Sequence, residues 1–316
     1  MSLAFIFPGQ GSQAVGMGKA LAEASPAARA VFAEVDEALG QSLSKLMWEG
    51  PEADLTLTEN AQPALMAVSL AVMRVLEAEH GIRLPDVAKF VAGHSLGEYS
   101  ALAAAGTFSL ADAARLLKTR GRAMQAATPV GTGAMAALLG LDYADAAAIA
   151  EAAAQNEICH AANDNAPGQV VVSGHKAAVE RAVALAKEKG AKRAVMLQVS
   201  APFHCALMQP AAEVMAAALA NTPMRPPTVS VVCNVRAVAV SDPVEIRKAL
   251  VDQVTGTVRW REGMAYMAGQ GVKVFCEAGA GKVLSGLAKR TAPEAQALAM
   301  GAPADIAQGV SQLKQG

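Results

Sequence analysis

Aromatic side chains are scarce in this chain. Two tryptophans, three tyrosines and seven phenylalanines make up 4% of its 316 residues, too few for the stacking platforms on which single-stranded nucleic acids lie. Charge is scarce too. Only 17% of residues are Asp, Glu, Lys or Arg, and they nearly cancel to a formal charge of −1. That leaves no broad basic field for a nucleic-acid backbone or an anionic membrane surface. The four cysteines (Cys159, Cys205, Cys233, Cys276) lack C-x-x-C or zinc spacing. They argue against a disulfide framework or a metal site, and for free, buried thiols in a reducing cytoplasm. No uninterrupted apolar run reaches membrane length, and Met1-Ser2 leads into Leu3–Phe7 without a basic start, so neither a membrane span nor an export signal is expected. What is plentiful is hydrophobic residues, 53% of the chain, enough for one large core or a little more.

One stretch organises the rest. Phe90-Val91-Ala92-Gly93-His94-Ser95-Leu96-Gly97-Glu98-Tyr99 reads as strand, sharp turn and helix, with Ser95 at the turn. Gly93 and Gly97 flank it in the G-x-S-x-G spacing of a nucleophile elbow. A serine there sits on strained backbone, and a side chain two residues to either side would collide. In return its hydroxyl stands clear of the sheet at the positive end of the next helix. The same spacing also occurs as a plain Gly-rich turn.

Leu3–Phe7 reads as a strand ending in the Pro8–Gln13 loop, at the edge where open α/β sheets bind ligands. Two look-alikes are rejected. Gly9–Ala14 loosely fits a dinucleotide fingerprint, but Pro8 opens the turn and no acidic residue ends a second strand about 20 residues on. Gly279–Lys282 hints at a phosphate loop, but Cys276 and Val283 stand where Gly and Ser/Thr belong. Helices are expected over 20–39, 63–79, 98–105 and 110–127, the last capped by Ser109. Next comes strand, helix, strand, strand, helix, strand over 135–139, 143–154, 159–162, 169–173, 177–189 and 194–199. This is the ferredoxin-like βαββαβ order. The α/β chain therefore divides into a large, mostly parallel-sheet domain over 1–127 and 200–316 and an inserted subdomain over 128–199. The large domain resumes with helices over 211–220 and 244–254, strands over 229–233 and 272–276, and a helix through Arg290. The tail after Ala292 is expected to be loosely structured.

An elbow serine needs a general base, and there are five histidines. His80 ends a helix, His175 follows a turn, and His160 lies in the insert as a core or edge-strand residue. His94 adjoins Ser95 and points elsewhere, though it can line the site. His204 remains, re-entering the large domain after the insert at Pro202-Phe203-His204. No Asp or Glu announces itself as its orienting partner; a backbone carbonyl can serve. On the 110–127 helix, Arg115, Lys118 and Arg122 share a solvated face, whereas Arg120 falls beside Leu116, Leu117 and Met124 on the apolar side. A guanidinium there needs an anion. It is either a structural ion pair or snorkelling stem, or a clamp for a substrate carboxylate.

At this point the motifs carry a resemblance. The run Phe7–Gln13, the elbow Gly93–Ala101, Thr119-Arg120-Gly121, Asn165–Val170 with Ser173-Gly174, and Phe203-His204 resemble the malonyl-CoA:acyl carrier protein transacylase family, in order and over nearly the whole chain. The resemblance implies an α/β-hydrolase-like large domain with a ferredoxin-like insert. It implies Ser95 as the nucleophile carrying malonyl and His204 as base and acid, with Arg259 supplying the carbonyl that orients it. It further implies Arg120 on the malonyl carboxylate, the backbone N–H groups of Gln10 and Leu96 as oxyanion hole, and Phe203 favouring malonyl over methylmalonyl. The expected partners are malonyl-CoA and acyl carrier protein, without cofactor or metal, for a cytoplasmic monomer serving fatty acid synthesis. Carrier proteins are acidic, and Lys192-Arg193 and Lys289-Arg290 are candidate docking pairs. The competing readings are a polyketide acyltransferase, a serine esterase or thioesterase, and a binding module with a vestigial elbow.

Overall fold

The computed structural model of the chain describes residues 2–315. The larger sheet runs in the order β10 (Gln296–Met300), β9 (Val274–Ala278), β1 (Leu3–Phe7), β2 (Ala88–Gly93), β7 (Val231–Val232) and β8 (Ala239–Val240). Every pairing in it is parallel except β7 with β8. Leu3, Phe5 and Phe7 enter one core and Ala4 and Ile6 another. A parallel strand covered on both faces must be apolar at every position, which is why Leu3–Phe7 has no polar alternation.

From β1 the chain goes to β2 on one side, and returns much later as β9 on the other. Such a reversal of strand order opens a crevice at the carboxyl ends of the strands. Phe7 pairs with Gly93, so the Pro8–Gln13 loop and the elbow leave the sheet side by side there.

The smaller sheet is antiparallel, in the order β4 (Cys159–Ala166), β5 (Gln169–His175), β3 (Gly133–Leu139) and β6 (Arg193–Met196). Helices Tyr143–Ala154 and Lys176–Glu188 cover one face, where Ala136, Leu138, Val170 and Val172 are buried. Met135, Ala162 and Val171 point the other way, into the main core. A bridge between Asn163 and Val258 and a 2.8 Å ion pair between buried Asp164 and Arg261 tie β4 to the larger body.

Three expectations are corrected. The 20–39 helix is two, Lys19–Ala24 and Pro26–Leu39, because Ser25 caps the second by accepting from Ala28 N and Pro26 takes its first position. The helix expected from Pro63 begins at Thr58 and runs to His80; the taste of proline for first turns misplaced its start. By length and composition it could cross a membrane, with a mean hydropathy of 1.3 over its best window, but 78% of that window is buried in the fold. The tail after Ala292 is ordered, with β10 pairing along β9 and the helix Pro303–Gln315 after it. Its alternation is short and Ala-rich, a weak signal that a sheet edge nonetheless uses.

Candidate active site

The elbow is built as its glycines require. Ser95 has φ 53°, left-handed for a residue with a Cβ, a conformation that costs on the order of 1–3 kcal/mol. A Cβ on Gly93 would lie 1.8 Å from Gly97 O, and one on Gly97 2.3 Å from Phe7 O. Neither neighbour is a flexible side chain, so only glycine fits. The strained turn is pinned by Asn234, which accepts from Ser95 N at 2.8 Å and donates to Gly93 O at 2.7 Å.

His204 meets Ser95. Its Nε2 lies 2.8 Å from Ser95 Oγ, and its Nδ1 lies 2.8 Å from the carbonyl oxygen of Gln253. A carbonyl only accepts, so Nδ1 carries the proton and Nε2 is free to accept from the serine. This corrects the assignment of Arg259. The Arg259 carbonyl accepts from Gly263 N in the first turn of the helix Trp260–Gly269, where Arg259 is the N-cap. Gln253 lies in the last turn of the helix Pro243–Thr255, where carbonyls have no partner within the helix and the dipole is negative. Burial, and then the charge of Arg120, lower the His204 pKa to about 3. The ring is therefore neutral, the form that takes a proton.

Arg120 completes the junction. It is 2% exposed; Nη2 donates to Ser95 Oγ at 3.1 Å and to Gln253 Oε1 at 2.8 Å, and Nη1 to Gln62 Oε1 at 2.8 Å. Its guanidinium carbon lies 5.7 Å from the Tyr99 ring centroid. Among the described residues no carboxylate forms a salt bridge with it. Neutral oxygens hold it in place and the buried Glu98 carboxyl acts on its charge only through space, so the structural ion pair is set aside. A buried cation beside a serine hydroxyl, without a salt-bridge partner, suits an anionic ligand. The solvated face expected for its helix is only partly so. Lys118 is buried, with Nζ 2.9 Å from Gln41 Oε1, 2.8 Å from Asn60 Oδ1 and 3.0 Å from Glu59.

Three functional residues escaped sequence reasoning. Gln253 gives its carbonyl to His204 and its Oε1 to Arg120, and donates Nε2 to Ser95 O at 3.0 Å and Glu98 Oε2 at 2.7 Å. It follows Ile246, Ala249 and Leu250 on the apolar stripe of its helix, the same signal that singled out Arg120. Glu98 is fully buried, and burial raises its pKa to about 7. It also accepts from Asn234 N at 3.1 Å. Asn234 directly follows the expected 229–233 strand, at the ligand-binding edge.

Ser95, His204, Arg120 and Gln62 face a cavity of about 390 Å³, also lined by Gln10, Leu96, Phe203, Met124, Met135 and Val171, while Gln253, Glu98 and Asn234 stand behind its wall. His94 lines it too, with Nε2 2.8 Å from Asn165 Oδ1; burial lowers its pKa. The other histidines lie elsewhere: His160 is exposed on edge strand β4, His175 Nδ1 accepts from Ile158 N, and His80 ends its helix. The Gly279–Lys282 loop has no phosphate slot, because the buried Glu277 carboxylate already takes Leu284 N and Ser285 N, at 3.1 and 2.7 Å. Lys192, Arg193 and Lys289 are exposed. Arg290 is exposed too, and is bonded to Gln169 Oε1 and to Pro167 O of the β4–β5 hairpin.

A family model described as the acyl transferase domain matches residues 4–307. The malonyl CoA-acyl carrier protein transacylase of Escherichia coli is 48% identical over 304 residues, 96% of this chain and 97% of that one. The crystal structure of an acyl-carrier-protein-S-malonyltransferase from Bartonella henselae superposes with a TM-score of 0.97 at 55% identity, covering 99% of this chain and 100% of the other. A malonyl-transacylase solved in complex with a type II PKS acyl-carrier protein superposes with a TM-score of 0.95 at 43% identity, covering 99% and 100%.

Proposed function

Since the chain belongs to the malonyl CoA-acyl carrier protein transacylases of the acyl transferase domain family, we propose that it moves malonyl from malonyl-CoA to the phosphopantetheine thiol of acyl carrier protein, through a malonyl ester on Ser95. One observation carries this reading: Ser95 Oγ is bonded at once to a neutral His204 Nε2 and to the guanidinium of Arg120, which has no salt-bridge partner among the described residues. An esterase needs the first contact but gains nothing from the second.

In the first half-reaction Ser95 Oγ attacks the thioester carbonyl while His204 Nε2 takes its proton. The backbone N–H groups of Leu96 and Gln10 hold the oxyanion. The C–S bond breaks, and His204 returns the proton to the leaving sulfur. In the second half-reaction the carrier thiol gives its proton to His204, attacks the ester and expels Ser95 Oγ, which is reprotonated. The Gln253 carbonyl steadies the imidazolium in both halves. Arg120 pairs with the malonyl carboxylate, and Phe203 narrows the cavity so that malonyl is preferred to methylmalonyl. The scheme draws on no cofactor; coenzyme A enters as part of the substrate.

In this reading the larger sheet belongs to an α/β-hydrolase-like domain over 1–127 and 200–316, and the smaller to a ferredoxin-like insert over 128–199. The enzyme works as a monomer in the cytoplasm, where its free cysteines stay reduced, and supplies malonyl for fatty acid synthesis. The polyketide reading keeps the same chemistry and changes the carrier; the relative solved with a type II PKS carrier protein favours keeping it as an alternative. The decisive experiment is an intact-protein mass spectrum after brief exposure to malonyl-CoA. A malonyl mass on Ser95 is expected, and its absence rejects the scheme.

Carrier docking yields a further expectation. Lys192 and Arg193 stand exposed just before Leu197–Ser200, which line the cavity, and an acidic carrier is drawn to such a rim. Reversing both charges should raise KM for the carrier several-fold at low salt and less at high salt. A KM that neither changes nor responds to salt removes the pair from the docking surface.

A further inference from the structure

We propose that Thr58 is a positioning residue, tying the Arg120 guanidinium to the loop that carries Gln10 through an ordered chain of hydrogen bonds; the inference rests on the acyl-transfer reading above. Arg120 Nη1 donates to Gln62 Oε1 at 2.8 Å, Gln62 Nε2 to Thr58 Oγ1 at 2.9 Å, and Thr58 Oγ1 to Gln10 Oε1 at 2.9 Å. The direction of the first two links is fixed from one end. A guanidinium has only donors, so Gln62 turns its oxygen to Arg120 and its amino group to Thr58. The Thr58 oxygen then accepts, and its single proton goes to Gln10. Reversing Gln62 would set its amino group against the guanidinium, donor to donor.

Burial makes this ordering costly to break. Thr58 is 0% and Gln62 1% exposed, while Gln10 is exposed on a Gly-rich loop. A second bond in that loop, Gly11 N to Gln13 Oε1 at 2.7 Å, is internal to it and does not anchor it to the body. The buried hydroxyl of Thr58 provides such an anchor, fixing Gln10 against the start of the helix Thr58–His80. The carboxylate site at Arg120 and the oxyanion site at Gln10 are thereby set to one distance. Because the oxyanion forms only as the carbonyl is attacked, a misplaced Gln10 slows the reaction without weakening substrate binding.

The test follows single-turnover malonylation of Ser95 by intact mass across malonyl-CoA concentrations, on the full chain. Thr58→Val, which keeps the shape and removes the hydroxyl, should slow acylation about tenfold. The half-saturating concentration should stay within about twofold. Thr58→Ser should recover most of the lost rate. Gln10→Met cuts the same bond from the exposed end, where folding is not at stake, and should slow acylation to a similar degree. In a double-mutant cycle, Thr58→Val and Gln62→Met should be non-additive, because each interrupts one chain. An unchanged rate in Thr58→Val or Gln10→Met overturns the proposal. So does a Thr58→Ser protein as slow as Thr58→Val, or a loss confined to the half-saturating concentration. Wild-type protein that takes up no malonyl overturns the acyl-transfer reading itself, a result separate from any difference among the variants.

Discussion

Ser95→Ala protein is expected to gain no mass from malonyl-CoA and to lose transfer by at least about 10⁴-fold. The argument is one of connectivity. Ser95 Oγ is the atom that both His204 Nε2 and Arg120 Nη2 touch, so its removal leaves a base with nothing to deprotonate and a clamp with no ester to hold. Substrate can still bind, since the cavity walls and Arg120 are untouched; the loss should fall on kcat far more than on KM. The fold should survive, because alanine at φ 53° meets the same backbone strain as serine. Intact mass and a carrier-malonylation assay on the same preparation check both parts. A variant that still transfers at the wild-type rate would mean that the ester intermediate does not exist.

Arg120→Ala should reverse acyl selectivity. Transfer of malonyl should fall on the order of 10²–10³-fold, the consequence of truncating one partner of a buried, hydrogen-bonded charge pair. Transfer of acetyl, which has no carboxylate to lose, should hold within a few-fold or rise. The expectation comes from charge bookkeeping at the site. Gln62, Gln253 and Ser95 offer the guanidinium neutral oxygens only, and burial pulls its pKa below the usual value. A malonyl carboxylate would give it the direct ion pair it lacks among the described residues. Competing malonyl-CoA and acetyl-CoA against each other gives the ratio directly. Equal losses for the two acyl groups would show that Arg120 acts on the serine hydroxyl rather than on a carboxylate.

The elbow was legible because its chemistry is local. Strand, tight turn and helix lie within ten residues, and each glycine is demanded by backbone atoms nearby in the chain or across one strand pairing. The βαββαβ order was legible for a similar reason: short strands and amphipathic helices announce themselves one at a time. Arg120 stood out because a cation on an apolar stripe is anomalous in any fold. The start of the Thr58–His80 helix and the ordered tail were misread where local preferences were weak and neighbouring elements decided.

By itself, then, the chain specified its α/β class and the elbow with Ser95, and singled out His204 and Arg120 as the side chains to look for beside it. Each of these needs a particular residue type, and that need is written where the residue stands. Tertiary structure alone decided which backbone carbonyl steadies His204, since any carbonyl can serve and the one chosen is whichever unsatisfied helix end arrives within 2.8 Å. It likewise decided the amide network of Gln62, Asn234 and Gln253. A glutamine or asparagine is neutral and chemically mute until folding brings donors to its oxygen and acceptors to its nitrogen.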